Sequence, residues 1–110
     1  MDYLPPSARR AREYLQEKHL EVWVPEIEPM ITCHHKLRAY RAPTFPLVEV
    51  FRQADLVDVS RGFCTFGLSP AAIKQVKVAF PTAGFYRTAA RLFAAWIRRH
   101  PFNPLPMLKW

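Results

Sequence analysis

A chain of 110 residues, half of them apolar, is long enough for one domain around one hydrophobic core and is not a disordered tail. Eleven prolines against three glycines describe short segments punctuated by rigid turns and speak against a glycine-rich phosphate loop. Sixteen Lys and Arg against nine Asp and Glu give a formal charge of +7, which favours an anionic partner; equally, basic residues this scattered make a solvated, soluble surface.

Cys33 and Cys64 stand far apart without a C-x-x-C pair, which excludes a zinc knuckle and a thioredoxin-type redox motif. A reducing, cytoplasmic location is expected. No basic segment leads into an apolar N-terminal run, and no stretch approaches the roughly 18 apolar residues that span a bilayer, so no export and no membrane partner are expected.

The first predicted helix follows Pro5 and Pro6, with Ser7 as its N-cap and Ala8, Ala11, Leu15 and then His19 or Val22 on its inner face. Arg9, Arg10 and Arg12 form its solvated side. A second helix is predicted from Glu28, with Pro29 in the first turn, to about Arg38, turning Ile27, Met30, Ile31 and His34 to one side. RAYRAPTFP, with two prolines in four residues, is a loop.

The third helix runs from Pro46 to about Arg61: Leu47, Val50, Ala54 and Val57 recur at three- and four-residue spacing, and Gly62 caps the end. Phe51, Asp55 and Asp58 line the neighbouring stripe. Ser69 and Pro70 open a fourth helix that Pro81 stops, and a fifth, from about Gly84 to His100, is expected to bury Phe85, Ala89, Leu92, Phe93 and Trp96. The tail PFNPLPMLKW reads as an extended arm over the core, anchored by Met107, Leu108 and Trp110. No strand alternation and no repeat is visible. The expectation is one all-α domain of about five helices over residues 1–110.

Asp55 and Asp58 are three apart on a helix, so both carboxylates can point the same way, and Asp55 borders the buried stripe, where an unpaired charge costs several kcal/mol. Compensation can come from a divalent cation, from Arg52 or Arg61, or from a histidine of the preceding helix; a structural ion pair is the commoner solution in general. His34 and His35 are imidazole donors suited to zinc, iron or manganese, and a carboxylate from a second helix completes a mixed nitrogen and oxygen shell. Adjacent helical residues point about 100° apart, so one histidine at most is expected to share a site with Asp55, the other facing the cleft.

The run MITCHHK on one helix, a loop, and then PLVEVFRQADLVDVS on the next resembles the C-terminal half of the HD-domain metal-dependent phosphohydrolase superfamily over roughly residues 26–61. There a histidine-bearing helix precedes one carrying A-D-x-x-D, whose first aspartate is the last metal ligand. The resemblance implies a partial HD-like helical bundle, Asp55 as a ligand of a divalent metal (Mn, Fe, Zn or Mg), and His34 or His35 as a further ligand or substrate contact. It also implies a small anionic substrate, with Lys36, Arg38 and Arg52 facing phosphate and Asp58 beside them. Solvated side chains at a helix end are the plain alternative for the three basic residues.

The upstream histidine and the His-Asp doublet of HD enzymes are missing, and His19 is the one histidine ahead of the pair. Metal sites need about three protein ligands. The chain is therefore expected to be a fragment or a degenerate member, weak or inactive alone. The alternative is a non-catalytic basic helical module that binds an anionic ligand or a protein. Nucleic acid is not expected, since Arg87, Arg91 and Arg98 fit a solvated face opposite Leu92 and Trp96 and no helix-turn-helix spacing is present. Without upstream helices to cover them, Val48, Phe51, Phe63 and Phe66 are expected to stay exposed and to drive self-association or recruit a partner.

Overall fold

The computed structural model describes residues 3–103; the tail with Met107, Leu108 and Trp110 lies outside the described residues. Within them there are five α-helices, one short 3₁₀ turn and no strand, so the protein is all-α. The chain divides after Cys64 into two compact units, each described by itself.

In the first unit, α1 spans Leu4–Glu17 and starts three residues before Ser7. Pro5 and Pro6 open this helix instead of preceding it. The first backbone donor an α-helix uses is the fourth or fifth from its start, here Ser7 N–H to the Tyr3 carbonyl at 3.1 Å, so two missing N–H groups ahead of Ser7 remove no bond. The helix ends in a Schellman turn: Leu20 N–H reaches the Leu15 carbonyl (2.8 Å) and His19 N–H the Gln16 carbonyl (3.1 Å), with His19 at φ 56°. His19 is thus a left-handed cap and not an inner-face residue, and Val22 is 83% exposed.

A 3₁₀ turn, Glu21–Trp23, leads into α2, Val24–Cys33, which begins with Pro25 in its first turn and keeps Pro29 in its interior. Both boundaries differ from the predicted Glu28 and Arg38. The early start has the same cause as in α1. The early end is set by His34, whose Nδ1 donates to the Ile31 carbonyl at 2.7 Å; in a longer helix the backbone N–H of His35 would take that acceptor.

The third helix, α3, spans Pro46–Val59. Its buried side chains are Val48 and Arg52, with Asp55 and Leu56 half-buried, whereas Leu47, Val50 and Phe51 are exposed. The buried stripe is therefore rotated by about one residue from the predicted one, and Val48 is covered. Arg52 is the reason. Its guanidinium makes a bidentate pair with Glu49 (2.8 and 2.6 Å) and donates to the Lys36 and Leu37 carbonyls, while Glu49 also accepts from Tyr40 N–H (2.7 Å) and from Gln53. A charged residue whose donors are met in this way can occupy a core position that binary patterning reserves for an apolar one. The same network fixes the segment after α2 against α3. The helix again closes on a Schellman turn, with Arg61 at the left-handed position (φ 56°) ahead of Gly62.

Helix α2 packs against both α1 and α3. Arg12 joins α1 to α2 through a bidentate bond to Glu28 (2.7 and 2.8 Å), and Glu26 of α2 accepts from Leu47 N–H, meeting one of the orphan donors at the start of α3. Leu4, Ala8 and Val48 form the buried apolar core.

In the second unit, α4 spans Pro70–Ala79 and α5 spans Phe85–Arg99. The Ser69 hydroxyl accepts from Ala72 N–H at 3.1 Å with Pro70 at the first position, as predicted. Gly84, at φ 85°, precedes α5, and Trp96 Nε1 donates to the Asn103 carbonyl at its far end (2.9 Å). Neither helix has a buried residue: Phe85 and Leu92 are more than half exposed, and Ala89 and Trp96 are half-buried. The predicted burial of the α5 stripe is not realised, because periodicity identifies an apolar face without supplying a surface to cover it, and α4 does not pack on α5 among the described residues.

Candidate metal centre

The end of α2 and the middle of α3 bring His34, His35 and Asp55 together: one ligand atom from each lies within 4.8 Å of the other two. All three are half-buried. Each is positioned by a separate local cause.

His34 is held by its Nδ1–H bond to the Ile31 carbonyl, and a carbonyl can only accept. Nδ1 therefore carries the proton and, in the neutral ring, Nε2 keeps its lone pair, the state a metal ligand needs. An edge contact from Phe51, with ring centroids 5.8 Å apart, packs against the same ring. His35 faces Asp55 through Nδ1, 3.5 Å from Oδ2, and its Nε2 is hydrogen-bonded to the Tyr3 hydroxyl. The two imidazoles lie 3.9 Å apart between centroids with a 39° tilt. Adjacent residues within a helix cannot meet like this. Because α2 ends at Cys33, the chain turns at the histidines and both rings come to one side, which corrects the expectation that one histidine at most joins Asp55.

Tyr3 was not legible as a site residue. It stands at the N-cap of α1, where no periodicity or motif marks it, and only the packing of α1 on α2 brings its ring edge-on to His35, 5.8 Å between centroids. Partial burial, and after it the negative charge of Asp55, raises the Tyr3 phenol above its ordinary pKa. The hydroxyl thus stays protonated and neutral beside the carboxylate.

The remaining predicted residues are placed elsewhere. Arg52 is 3% exposed, and its guanidinium is engaged by Glu49 and by the Lys36 and Leu37 carbonyls; beside Asp55 stands His35, with Nδ1 3.5 Å from Oδ2. Lys36 is half-buried and gives its carbonyl to Arg52. Arg38 and Asp58 are exposed, and Asp58 is one turn beyond Asp55 and outside the three-donor group.

Two imidazoles and a carboxylate are the donor set of borderline divalent ions such as zinc, iron and manganese; magnesium, which prefers an all-oxygen shell, fits poorly. Bonds of about 2.0–2.1 Å to a tetrahedral ion put donors about 3.3 Å apart, a spacing that His35 Nδ1 and Asp55 Oδ2 nearly have already, at 3.5 Å. Comparison with protein-family models, curated proteins and solved structures finds no match to this chain.

Proposed function

We propose that His34, His35 and Asp55 bind one divalent transition-metal ion, and that the site belongs to an HD-hydrolase-like module acting on a small anionic substrate, with little or no turnover by these residues alone. The convergence of three donors, two from the turn that ends α2 and one from α3, carries this reading. The motif resemblance over residues 26–61 adds the reaction class to it.

Each side chain has a part in the proposal. His34 offers Nε2, its other nitrogen being fixed by the Ile31 carbonyl, and His35 is oriented by Tyr3, as metal-binding histidines generally are by a second partner. Asp55 contributes the one negative charge, which leaves a bound divalent ion with net positive charge toward an anion. When bound, such an ion acts as a Lewis acid on an anionic oxygen substrate. Lys36 and Arg38, following the histidines directly, are the residues assigned to neutralise substrate charge. The two free cysteines support a reducing, cytoplasmic setting.

Cobalt(II) titration followed by visible absorption tests this. The account expects ligand-field bands that saturate at one ion per chain and are lost in Asp55→Ala and in His34→Ala, while p-nitrophenyl phosphate hydrolysis stays near the buffer rate. Absence of the bands, or bands unchanged in Asp55→Ala, refutes the site. The His35–Asp55 pair at 3.5 Å would then be a structural ion pair, and the second reading, a non-catalytic basic module, would stand.

A further inference from the structure

The charge of this protein is divided as sharply as its burial. Residues 1–64 hold nine Lys and Arg and nine Asp and Glu, while residues 65–110 hold seven Lys and Arg and no acidic side chain, which is the whole excess of +7. Scattered along the sequence, the basic residues look like a general solvated surface. Placed on helices they are segregated. On α5, at 100° per residue, Arg87, Arg91 and Arg98 fall within about 40° of one another, and the arc centred opposite them carries Phe85, Leu92, Phe93 and Trp96, with Ile97 at one edge and Arg99 at the other.

That apolar arc is open. Phe85, Leu92, Phe93 and Ile97 are 58%, 55%, 36% and 43% exposed, and in α4 Val76 and the following Phe80 are 60% and 76% exposed beside Lys74 and Lys77. Aromatic and aliphatic side chains on one face, arginines on the other and a modest overall hydropathy are the signature of a helix that lies in a membrane interface. The same pattern distinguishes the possible occupants. A second copy of this unit would cover the apolar face and leave the arginines on the opposite side without an anionic partner, and a nucleic acid would meet the arginines and leave the apolar face in water. An anionic lipid surface satisfies both faces at once.

We infer that residues 65–103 form a peripheral docking surface for anionic lipid bilayers, with α5 lying in the headgroup region, its Phe85–Leu92–Trp96 face toward the acyl chains and its arginines among the phosphates. No helix among the described residues is long and apolar enough to cross a membrane, so the attachment is interfacial and reversible. The inference is independent of the metal site. It also supplies a partner for the exposed α5 side chains that the sequence assigned to the core.

The test is co-sedimentation of the full chain with vesicles of phosphatidylcholine, with and without about 30% phosphatidylserine. Binding is expected to the anionic vesicles and not to the neutral ones, and to weaken about tenfold or more in Leu92→Glu and in Phe93→Glu. Both positions are solvent-exposed, so circular dichroism of each variant should match the parent chain. The triple change Arg87→Gln, Arg91→Gln and Arg98→Gln should weaken binding comparably and reduce its salt dependence. Absence of sedimentation with anionic vesicles overturns the proposal. So does binding that Leu92→Glu and Phe93→Glu leave intact while heparin or RNA competes it away, an outcome that would identify a polyanion site instead.

Discussion

Residues 3–64 and residues 65–103 are both helical, yet they are helical for different reasons. Helix α3 lacks a side-chain cap from its own residues and is anchored by burial of Val48 and by the Glu49–Arg52 network. Helix α4 has the better local chemistry, a serine cap and a proline at the first position, and buries nothing. Capping and proline placement thus specify where a helix begins, while packing alone decides which side of it is inside and how firmly it is held. The first unit accordingly presents fixed side chains suited to coordinate an ion, and the second presents an uncovered amphipathic surface suited to dock.

The strongest way to break this contrast is to remove its anchor. Arg52→Ala leaves Glu49 partly buried without its cationic partner and frees the Lys36 and Leu37 carbonyls, so residues 24–59 should lose about 3 kcal/mol of stability, measured as faster amide exchange there. Exchange in α4 and α5 should not change. An effect of equal size in both units would mean that they fold as one, and that burial does not separate them.

Acid should divide the units in the same way. Hydrogen bonding from Arg52 above all, and then from Tyr40 N–H and Gln53, lowers the Glu49 pKa from 4.5 to about 2. A carboxylate with a depressed folded pKa contributes stability that is fully present above its unfolded value and is lost as pH falls toward the folded one. The first unit should therefore weaken between about pH 4.5 and 2, and Glu49→Gln should flatten that dependence while lowering stability at neutral pH. Residues 65–103 have no carboxylate side chain and should keep their helix content across the window.

Matched truncations sharpen the contrast further. Val48→Ala removes two methyl groups from a fully buried position and should cost about 2 kcal/mol, whereas Val78→Ala, at a position 74% exposed in α4, should stay within about 0.5 kcal/mol. Chemical denaturation followed by regional exchange distinguishes them. The smallest effect expected is a gain. His19 holds a left-handed φ of 56° at the end of α1, and glycine adopts that conformation without steric penalty, so His19→Gly should stabilise α1 by about 0.5–1 kcal/mol.

The sequence was most readable where chemistry is local. Fold class, the number of helices among the described residues and the Ser69–Pro70 start of α4 could all be read from residue types and spacing; so could His34, His35 and Asp55 as candidate donors, but not the turn that brings both imidazoles to one side. Errors arose where a distant partner decides the outcome. Periodicity misplaces the face of α3 because an arginine counts as polar until its acceptors are known, here Glu49 and two carbonyls of the segment after α2. Tyr3 could not be anticipated because its contact with His35 spans 32 positions of sequence. The α5 stripe reads as a core face because amphipathicity looks the same whatever covers it.

The central claim, that the packed unit and not the exposed one carries a metal site, is tested most directly by amide hydrogen exchange with and without saturating zinc. Binding to the native state alone stabilises it by mass action, by about 2.7 kcal/mol at a hundredfold excess over Kd. The account predicts that exchange slows in α2, in α3 and at the start of α1 where Tyr3 meets His35, that α4 and α5 are unaffected, and that Asp55→Ala abolishes the protection. Unchanged exchange in α2 and α3 under zinc, or protection that persists in Asp55→Ala, would contradict it.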